Sequence, residues 1–332
     1  MRYVIIGGSA AAIGCIEGVR SVDKTGEIIL ITGETEWNYS RPLISYLLEG
    51  KTTRDKMWCR PDSFFTRNGV TVKAGVLATT LDAGDRTVRL STGERLAYDR
   101  LLAATGSRPF VPPIPGLETV ERTFCFQTLS DASALAEALR PESRVLILGA
   151  GLTGVKCAEG IRGLCAQIAI ADLAPRVLPA VLDDTAAAMV QARMEEKGVR
   201  FYLNDSAAAF RGNTARLQSG TELEFDVLVT AVGVRPNTQL VADAGGAVDR
   251  GILVDGRCAT TLPDVYAAGD CAQGYDAVSG EKRMLPLWPN AMLQGETAGI
   301  NMAGGRADYT QGIALNASGV FGLHMVTAGS YE

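Results

Sequence analysis

Histidine is almost missing from this sequence: His324 is the single one in 332 residues. It stands near the end of the chain and reads as structural rather than as a catalytic acid, and no Ser/His/Asp arrangement is in evidence. None of the seven cysteines (Cys15, Cys59, Cys125, Cys157, Cys165, Cys258 and Cys271) stands in a C-x-x-C pair, and no set of them has zinc spacing. No metal site is therefore expected, and most of these thiols read as small buried hydrophobes in a reduced cytosol. There is no apolar run of about 18 residues, so no membrane span is expected. The first residues enter a strand directly, without a signal-peptide pattern, which points to the cytoplasm. Positive charge is not in excess: a net charge of -5 gives no general reason to expect nucleic acid.

What the chain does have is length and two glycine-rich turns. Its 332 residues, 47% of them hydrophobic, suit a soluble globular protein of two or three domains with substantial cores. One turn is Val4-Ile5-Ile6-Gly7-Gly8-Ser9-Ala10-Ala11-Ala12, and the other is Val145-Leu146-Ile147-Leu148-Gly149-Ala150-Gly151-Leu152-Thr153-Gly154. Each follows a short apolar strand and precedes a helical pattern. The unpaired N–H groups of a helix's first turn carry partial positive charge, so a pyrophosphate settles there. The first small residue permits the turn, the second lets the phosphate approach, and the third lets the helix close on the strand. These positions are Gly149, Gly151 and Gly154 in one turn, and Gly7, Ser9 and Ala12 in the other. Ser9 departs from the pattern, but its side chain is small and its hydroxyl can bond a phosphate oxygen. A second strand follows each turn and ends near an acid: Ile28–Thr32 leads to Glu34, and Ile168–Ala171 leads to Asp172. One such turn holds one dinucleotide. Two imply two dinucleotides, and adjacent dinucleotides imply hydride transfer between them.

These landmarks predict an α/β chain of two Rossmann-like dinucleotide-binding domains, the second inserted in the first. Residues 1–108 form the first part of the outer domain. They include an excursion from Trp37 to Asn68, in which a helix opens across 39–48, and strand-like pieces at 71–73 and 87–90. Pro109, Pro112, Pro113 and Pro115 mark a linker. The inserted domain covers 109–242. In it Ser130 or Asp131 is expected to cap a helix reaching Arg140, and the unit closes on Val227–Pro236, much as the first closes on Leu101–Gly106. Residues 243–308 return to the outer domain. There Val265–Asp270 delivers a carboxylate just past a glycine, and Pro286–Ala291 leads into a helix over 292–303. Residues 309–332, too short for a core of their own, read as the incomplete start of a C-terminal interface domain.

The two turns, with Ala104-Thr105-Gly106, Ala231-Val232-Gly233 and Ala268-Gly269-Asp270, span nearly the whole chain. Their order resembles the pyridine nucleotide–disulfide oxidoreductase superfamily, flavoproteins with two dinucleotide-binding domains. Ser40-Arg41-Pro42-Leu43 and Pro286-Leu287-Trp288-Pro289-Asn290-Ala291 are similar to one branch of it. That branch holds NADH-dependent rubredoxin and ferredoxin reductases, NADH oxidases and the flavin portion of assimilatory nitrite reductases. The resemblance implies FAD on the first turn (Gly7, Ser9, Ala10, Ala12) and NAD on the second (Gly149, Gly151, Leu152, Thr153, Gly154), with Gly233 beside it. Glu34 would hold the FAD ribose and Asp172 the NAD ribose. Val76 would meet adenine through its backbone, and Ala104, Thr105, Gly106 and Arg108 would lie against FAD. Asp270, after Gly269, would accept from the ribityl chain. Arg41 would approach the flavin or its pyrophosphate, or be an ordinary surface arginine. Leu287 and Trp288 would sit beside the flavin ring, Trp288 being otherwise plain core.

The departures matter as much. The early helix has Leu43, Ile44 and Ser45 where relatives of this kind carry a redox cysteine, and Cys157 and Cys165 are too far apart for C-x-x-C. Electrons are thus expected to leave the flavin without a protein thiol. Lys156 stands where the family commonly has glutamate. It is either a helix residue whose stem packs and whose amine reaches water, or a lysine near flavin N5. The implied activity is that of an NADH-dependent FAD oxidoreductase exchanging single electrons with an iron–sulfur protein, ferredoxin or rubredoxin. The alternatives are an NADH oxidase, a flavin-bearing subunit of a larger metalloenzyme complex, and a redox-sensing regulator. Lys51, Arg54, Lys56, Arg60 and Arg67 cluster in the excursion, as a docking face for an acidic partner or as a solvated charged loop.

Overall fold

A computed structural model describes residues 1–329. Among them lie eight α-helices: α1 (Ala10–Val22), α2 (Ile44–Leu48), α3 (Asp62–Arg67), α4 (Leu129–Ala138), α5 (Leu152–Ile161), α6 (Asp184–Glu196), α7 (Gln239–Asp243) and α8 (Trp288–Met302). None is long and apolar enough to cross a membrane. The chain divides into two compact units. Unit 1 is Met1–Ser40, Trp58–Ser107 and Pro236–Leu315; unit 2 is Arg41–Met57, Arg108–Arg235 and the chain from Asn316.

Unit 1 is built on a five-stranded parallel sheet in the order Val265–Ala267, Arg100–Ala103, Arg2–Ile6, Glu27–Thr32, Val70–Ala74. Successive side chains of a strand point to opposite faces, and here both faces are covered. Tyr3, Ile5, Ile28 and Leu30 pack with α1 and α8. Val4, Ile6, Ile29 and Ile31 pack with an antiparallel sheet of Ala78–Asp82, Thr87–Leu90 and Arg95–Ala97. That is why the strands read as unbroken apolar runs. Helices α1 and α8 touch backbone to backbone. A methyl group on Gly14 would lie 2.2 Å from Met292 O, and one on Gly295 would lie 2.0 Å from Ala11 O. Contacts advance together along both helices, so the two run in the same direction. Helix α8 begins at Trp288 rather than 292, because Pro289 falls in the first turn, where its missing N–H is not needed.

Unit 2 repeats the plan. Its parallel sheet runs Val199–Leu203, Gln167–Asp172, Arg144–Leu148, Val227–Thr230, Thr123–Phe124. An antiparallel sheet (Ala207–Arg211, Thr214–Leu217, Glu222–Glu224) covers one face, with Phe210 and Phe225 edge to face at 5.9 Å. The repeat reaches single bonds. The N–H of Arg2 donates to Asp99 at 2.7 Å, and the N–H of Arg144 donates to Asp226 at 2.8 Å. Helix α4 is capped by Thr128, two residues before Ser130 and three before Asp131; Asp131 instead completes the capping box. The early helix α2 belongs with this unit, although its place in the chain falls inside the outer domain. Gly160 of α5 lacks the side chain that would press to 3.2 Å from the Ser45 backbone. A hairpin of Leu315–Val320 and Leu323–Ala328 is held at its turn by Glu159, which accepts from the Phe321 N–H at 2.6 Å, and by Arg193, which donates to Phe321 O at 3.1 Å.

Candidate functional site

In unit 1 the chain leaves the strand Arg2–Ile6 at Gly7, whose φ of 126° only glycine adopts readily. A methyl there would lie 2.0 Å from Ala104 O, so Gly7 also permits the close approach of the Ala104–Gly106 crossing. Ser9 is the N-cap of α1 but makes no side-chain cap bond, and the first turn, which holds Ala10 and Ala12, has no acid. Helix α5 of unit 2 starts the same way, with Gly151 as its cap and no acid in its first turn. By contrast α4 and α6 are capped by Thr128 and Asp183 and carry Asp131 and Asp184. Both glycine-turn helices thus begin without a side-chain cap bond or a first-turn acid, as the binding of an outside anion needs.

Gly151 makes the point most clearly. Its φ is -75°, so no strain demands glycine, and a methyl there would meet nothing within 4 Å. Neither backbone nor packing needs the missing side chain, and its absence leaves the space at the helix start open. Gly149 (φ 109°) and Gly154 are glycine for reasons of packing. Methyls on them would lie 2.3 Å from Ala231 O and 1.9 Å from Gly149 O. Leu152 and Thr153 open the helix. Asp172 ends its strand with its carboxylate accepting from the N–H of Ala150 at 2.6 Å and of Ala174 at 2.7 Å. Gly233, φ 110°, lies past the end of Val227–Thr230, and its carbonyl accepts from Phe110 N–H at 2.9 Å.

Around the first turn, Glu34 accepts from the Tyr39 hydroxyl at 2.5 Å. Gly75 N–H reaches Glu34 O at 3.3 Å, and Val76 N–H reaches Thr32 O at 2.9 Å, so these residues share one end of the sheet. Asn237 holds the crossing. Thr105 Oγ1 donates to its carbonyl at 2.6 Å, its Nδ2 donates to Thr105 O at 2.9 Å, and its N–H donates to Gly106 O. Gly269 (φ 80°) lies between Ala11 and Ala291, and Asp270 accepts from Ser107 Oγ at 3.1 Å. Leu287 is the N-cap of α8, and Trp288 begins it. The Trp288 indole nitrogen is buried beside the half-buried Cys59 thiol, a weak sulfur acceptor. The residues of unit 1 thus fit an FAD and those of unit 2 an NAD. Asn237 and Ser107, absent from the sequence expectation, act on backbone and carboxylate from far along the chain, and no local motif announces them.

The remaining expected residues lie in unit 2. Arg41 donates to Gln127 O at 3.0 Å, and Arg108 is exposed. Lys156 pairs with the buried Glu159, donates to Gly319 O at 3.0 Å and sits 4.2 Å over the Tyr46 ring. The basic residues of the excursion divide between the units. Lys51 pairs with Glu49 and Arg54 donates to Ser133 in unit 2; Arg60 pairs with Glu17 in unit 1. All seven cysteines are free, and burial pushes the thiol of Cys165 up to about 11 and that of Cys258 to about 12.

A family model described as pyridine nucleotide-disulphide oxidoreductase matches residues 1–295. The chain is 33% identical to the NADH-dependent phenylglyoxylate dehydrogenase subunit epsilon of Aromatoleum evansii, over 99% of its own length and 79% of that protein. It is 30% identical to the assimilatory nitrate reductase electron transfer subunit of Bacillus subtilis (strain 168), of which it spans 43%. It superimposes on the covalent putidaredoxin reductase–putidaredoxin complex with a TM-score of 0.92 and 25% identity, covering 100% of this chain and 82% of that one.

Proposed function

The chain belongs to the pyridine nucleotide–disulphide oxidoreductase family, with FAD and NAD(H) as its cofactors, and we propose that it passes electrons from NADH to an iron–sulfur protein or rubredoxin in the cytoplasm. The observation that carries this reading is Gly151, a glycine at an uncapped helix start that neither its backbone angle nor its packing requires, so that the space above it is open to a phosphate. The cofactors supply the chemistry, hydride transfer and the conversion of an electron pair into single electrons; the protein supplies position and electrostatics. The first-turn N–H groups of α1 hold the FAD pyrophosphate, with Ser9 adding a hydroxyl. Asp270 accepts from the ribityl chain, and Leu287 and Trp288 cover the ring from the start of α8. Asp172 uses part of its lone-pair capacity on Ala150 and Ala174 and offers the rest to ribose hydroxyls. A 2′-phosphate there would meet like charge, so NADH is preferred over NADPH. Arg176, the nearest cation in sequence, is turned to Leu182 O, Pro179 O and Asp184 and does not offset it. Lys156 acts through Tyr46 and α2, on which its ammonium rests. The enclosed cysteines take no part, since burial keeps their thiols protonated.

A second reading, a flavin-bearing subunit working within a larger redox complex, is favoured by the relative named as a dehydrogenase subunit, which the chain matches over 79% of its length. One experiment tests both. NADH under nitrogen should bleach the flavin, and an oxidised iron–sulfur acceptor should restore the colour faster than oxygen does. Faster return with oxygen favours an NADH oxidase. Return only in the presence of co-purifying proteins favours the subunit.

A further inference from the structure

Building on the reading that unit 1 holds FAD through Asp270, we propose that Gln294 is the positioning residue for that carboxylate, acting through Gly269. The N–H of Ala268 is bonded to Ala103 O at 3.1 Å, so Gly269, one residue on and at φ 80°, has left the sheet. A buried N–H left without an acceptor costs about 1–3 kcal/mol. Gln294, 2% exposed in the second turn of α8, supplies the acceptor: its Oε1 lies 2.7 Å from Gly269 N. Because the partner is a donor, the amide oxygen must face it, which fixes the side chain's orientation. Glycines make room for the amide. A methyl on Gly274 would lie 2.1 Å from Gln294 Nε2, and a methyl on Gly295 would push α8 off α1 at Ala11 O. Gln294 therefore sits where it cannot turn aside, and it holds the backbone that presents Asp270. Ser107 holds the carboxylate itself at 3.1 Å. The sequence shows only a glutamine in a helix; the bond spans 25 residues.

Asn301 provides the control. It is a second buried amide on the same helix, but it ties Thr297, Arg257 and Ala307 instead of the Asp270 loop. The test is FAD titration of apoprotein, followed by flavin fluorescence and the shape of the visible flavin band. Q294M, which removes the acceptor at similar volume, should bind FAD about tenfold more weakly, about 1.4 kcal/mol. Q294E, which keeps an acceptor oxygen, should stay within about threefold of the wild type. N301L should lower Tm without changing FAD affinity. Wild-type affinity in Q294M, or equal losses in Q294M and N301L, overturns the assignment. If Q294M does not fold, Q294E decides: affinity held near the wild type supports the role, and a loss like that expected for Q294M overturns it. A wild type that takes up no FAD overturns the FAD reading together with this one, a result unlike equal binding by wild type and variant.

Discussion

The turn of unit 2 has Gly154 where the turn of unit 1 has Ala12, and the two helices approach their strands accordingly. A methyl on Gly154 would lie 1.9 Å from Gly149 O, whereas Ala12 keeps its methyl fully buried. At the second position Ser9 stands opposite Gly151, whose side-chain space is open. The acids differ too. Asp172 is bonded back to the turn itself through Ala150, while Glu34 is reached by Tyr39 from outside the turn. The third-position glycine is thus a consequence of helix–strand distance. The second-position glycine is demanded by neither backbone angle nor packing.

Replacing Gly154 by alanine should break this comparison most visibly. The new methyl meets a backbone carbonyl that cannot yield, so unit 2 should lose about 1–3 kcal/mol or more, read as a lower denaturant midpoint. Ala12→Gly in the other turn should cost only about 0.5–1 kcal/mol. Equal losses would show that the two helices pack alike. Next comes Asp172→Ala, which removes a charged acceptor. The ratio of anaerobic flavin reduction by NADH to that by NADPH should fall about tenfold or more. An unchanged ratio removes Asp172 from nucleotide choice. Copying the first turn into the second with Gly151→Ser should leave stability within about 0.5 kcal/mol. It should weaken NADH binding a few-fold in equilibrium titration, since the proposed NAD pyrophosphate would lie in the space it fills. A stability loss with unchanged NADH affinity reverses the assignment.

The smallest effect concerns the carboxylates that anchor the first strands. A hydrogen bond from Arg144 holds the Asp226 carboxyl below its usual range. With the folded value depressed, its stabilising contribution is complete above the unfolded value of about 4 and fades as pH falls toward the folded one. Asp226→Asn should flatten the acid side of the unfolding profile, measured as Tm from pH 5 down to pH 2. Because both partners are more than a third exposed, solvent screening keeps the effect slight. A wild-type acid limb in the variant removes Asp226 from the ledger.

Much of this was legible from residue order. Apolar runs ending in glycine specify strand, turn and helix whatever surrounds them, because sterics at Gly7 and Gly149 and burial of both sheet faces are local demands. The start of α8 was misplaced by four residues because Pro286 and Pro289 read alike in sequence, though the second falls where a helix tolerates it. Likewise Thr128 replaced Ser130 and Asp131 as the cap of α4, since several cap-forming residues stand together and only the geometry selects one.

What the sequence by itself determined is the α/β class, the two glycine-rich turns between strand and helix and the acids that follow them, all set by short-range spacing. Only the tertiary structure decided that α2 packs with the second nucleotide unit, that glycines lock α1 to α8, that Asn237 ties the Thr105–Gly106 crossing, and that Gln294 braces Gly269. The physical reason is range. A turn or a strand answers to its neighbours in the chain, whereas a buried N–H takes whichever acceptor the fold brings within 3 Å or so, and nothing in local spacing says which residue that will be.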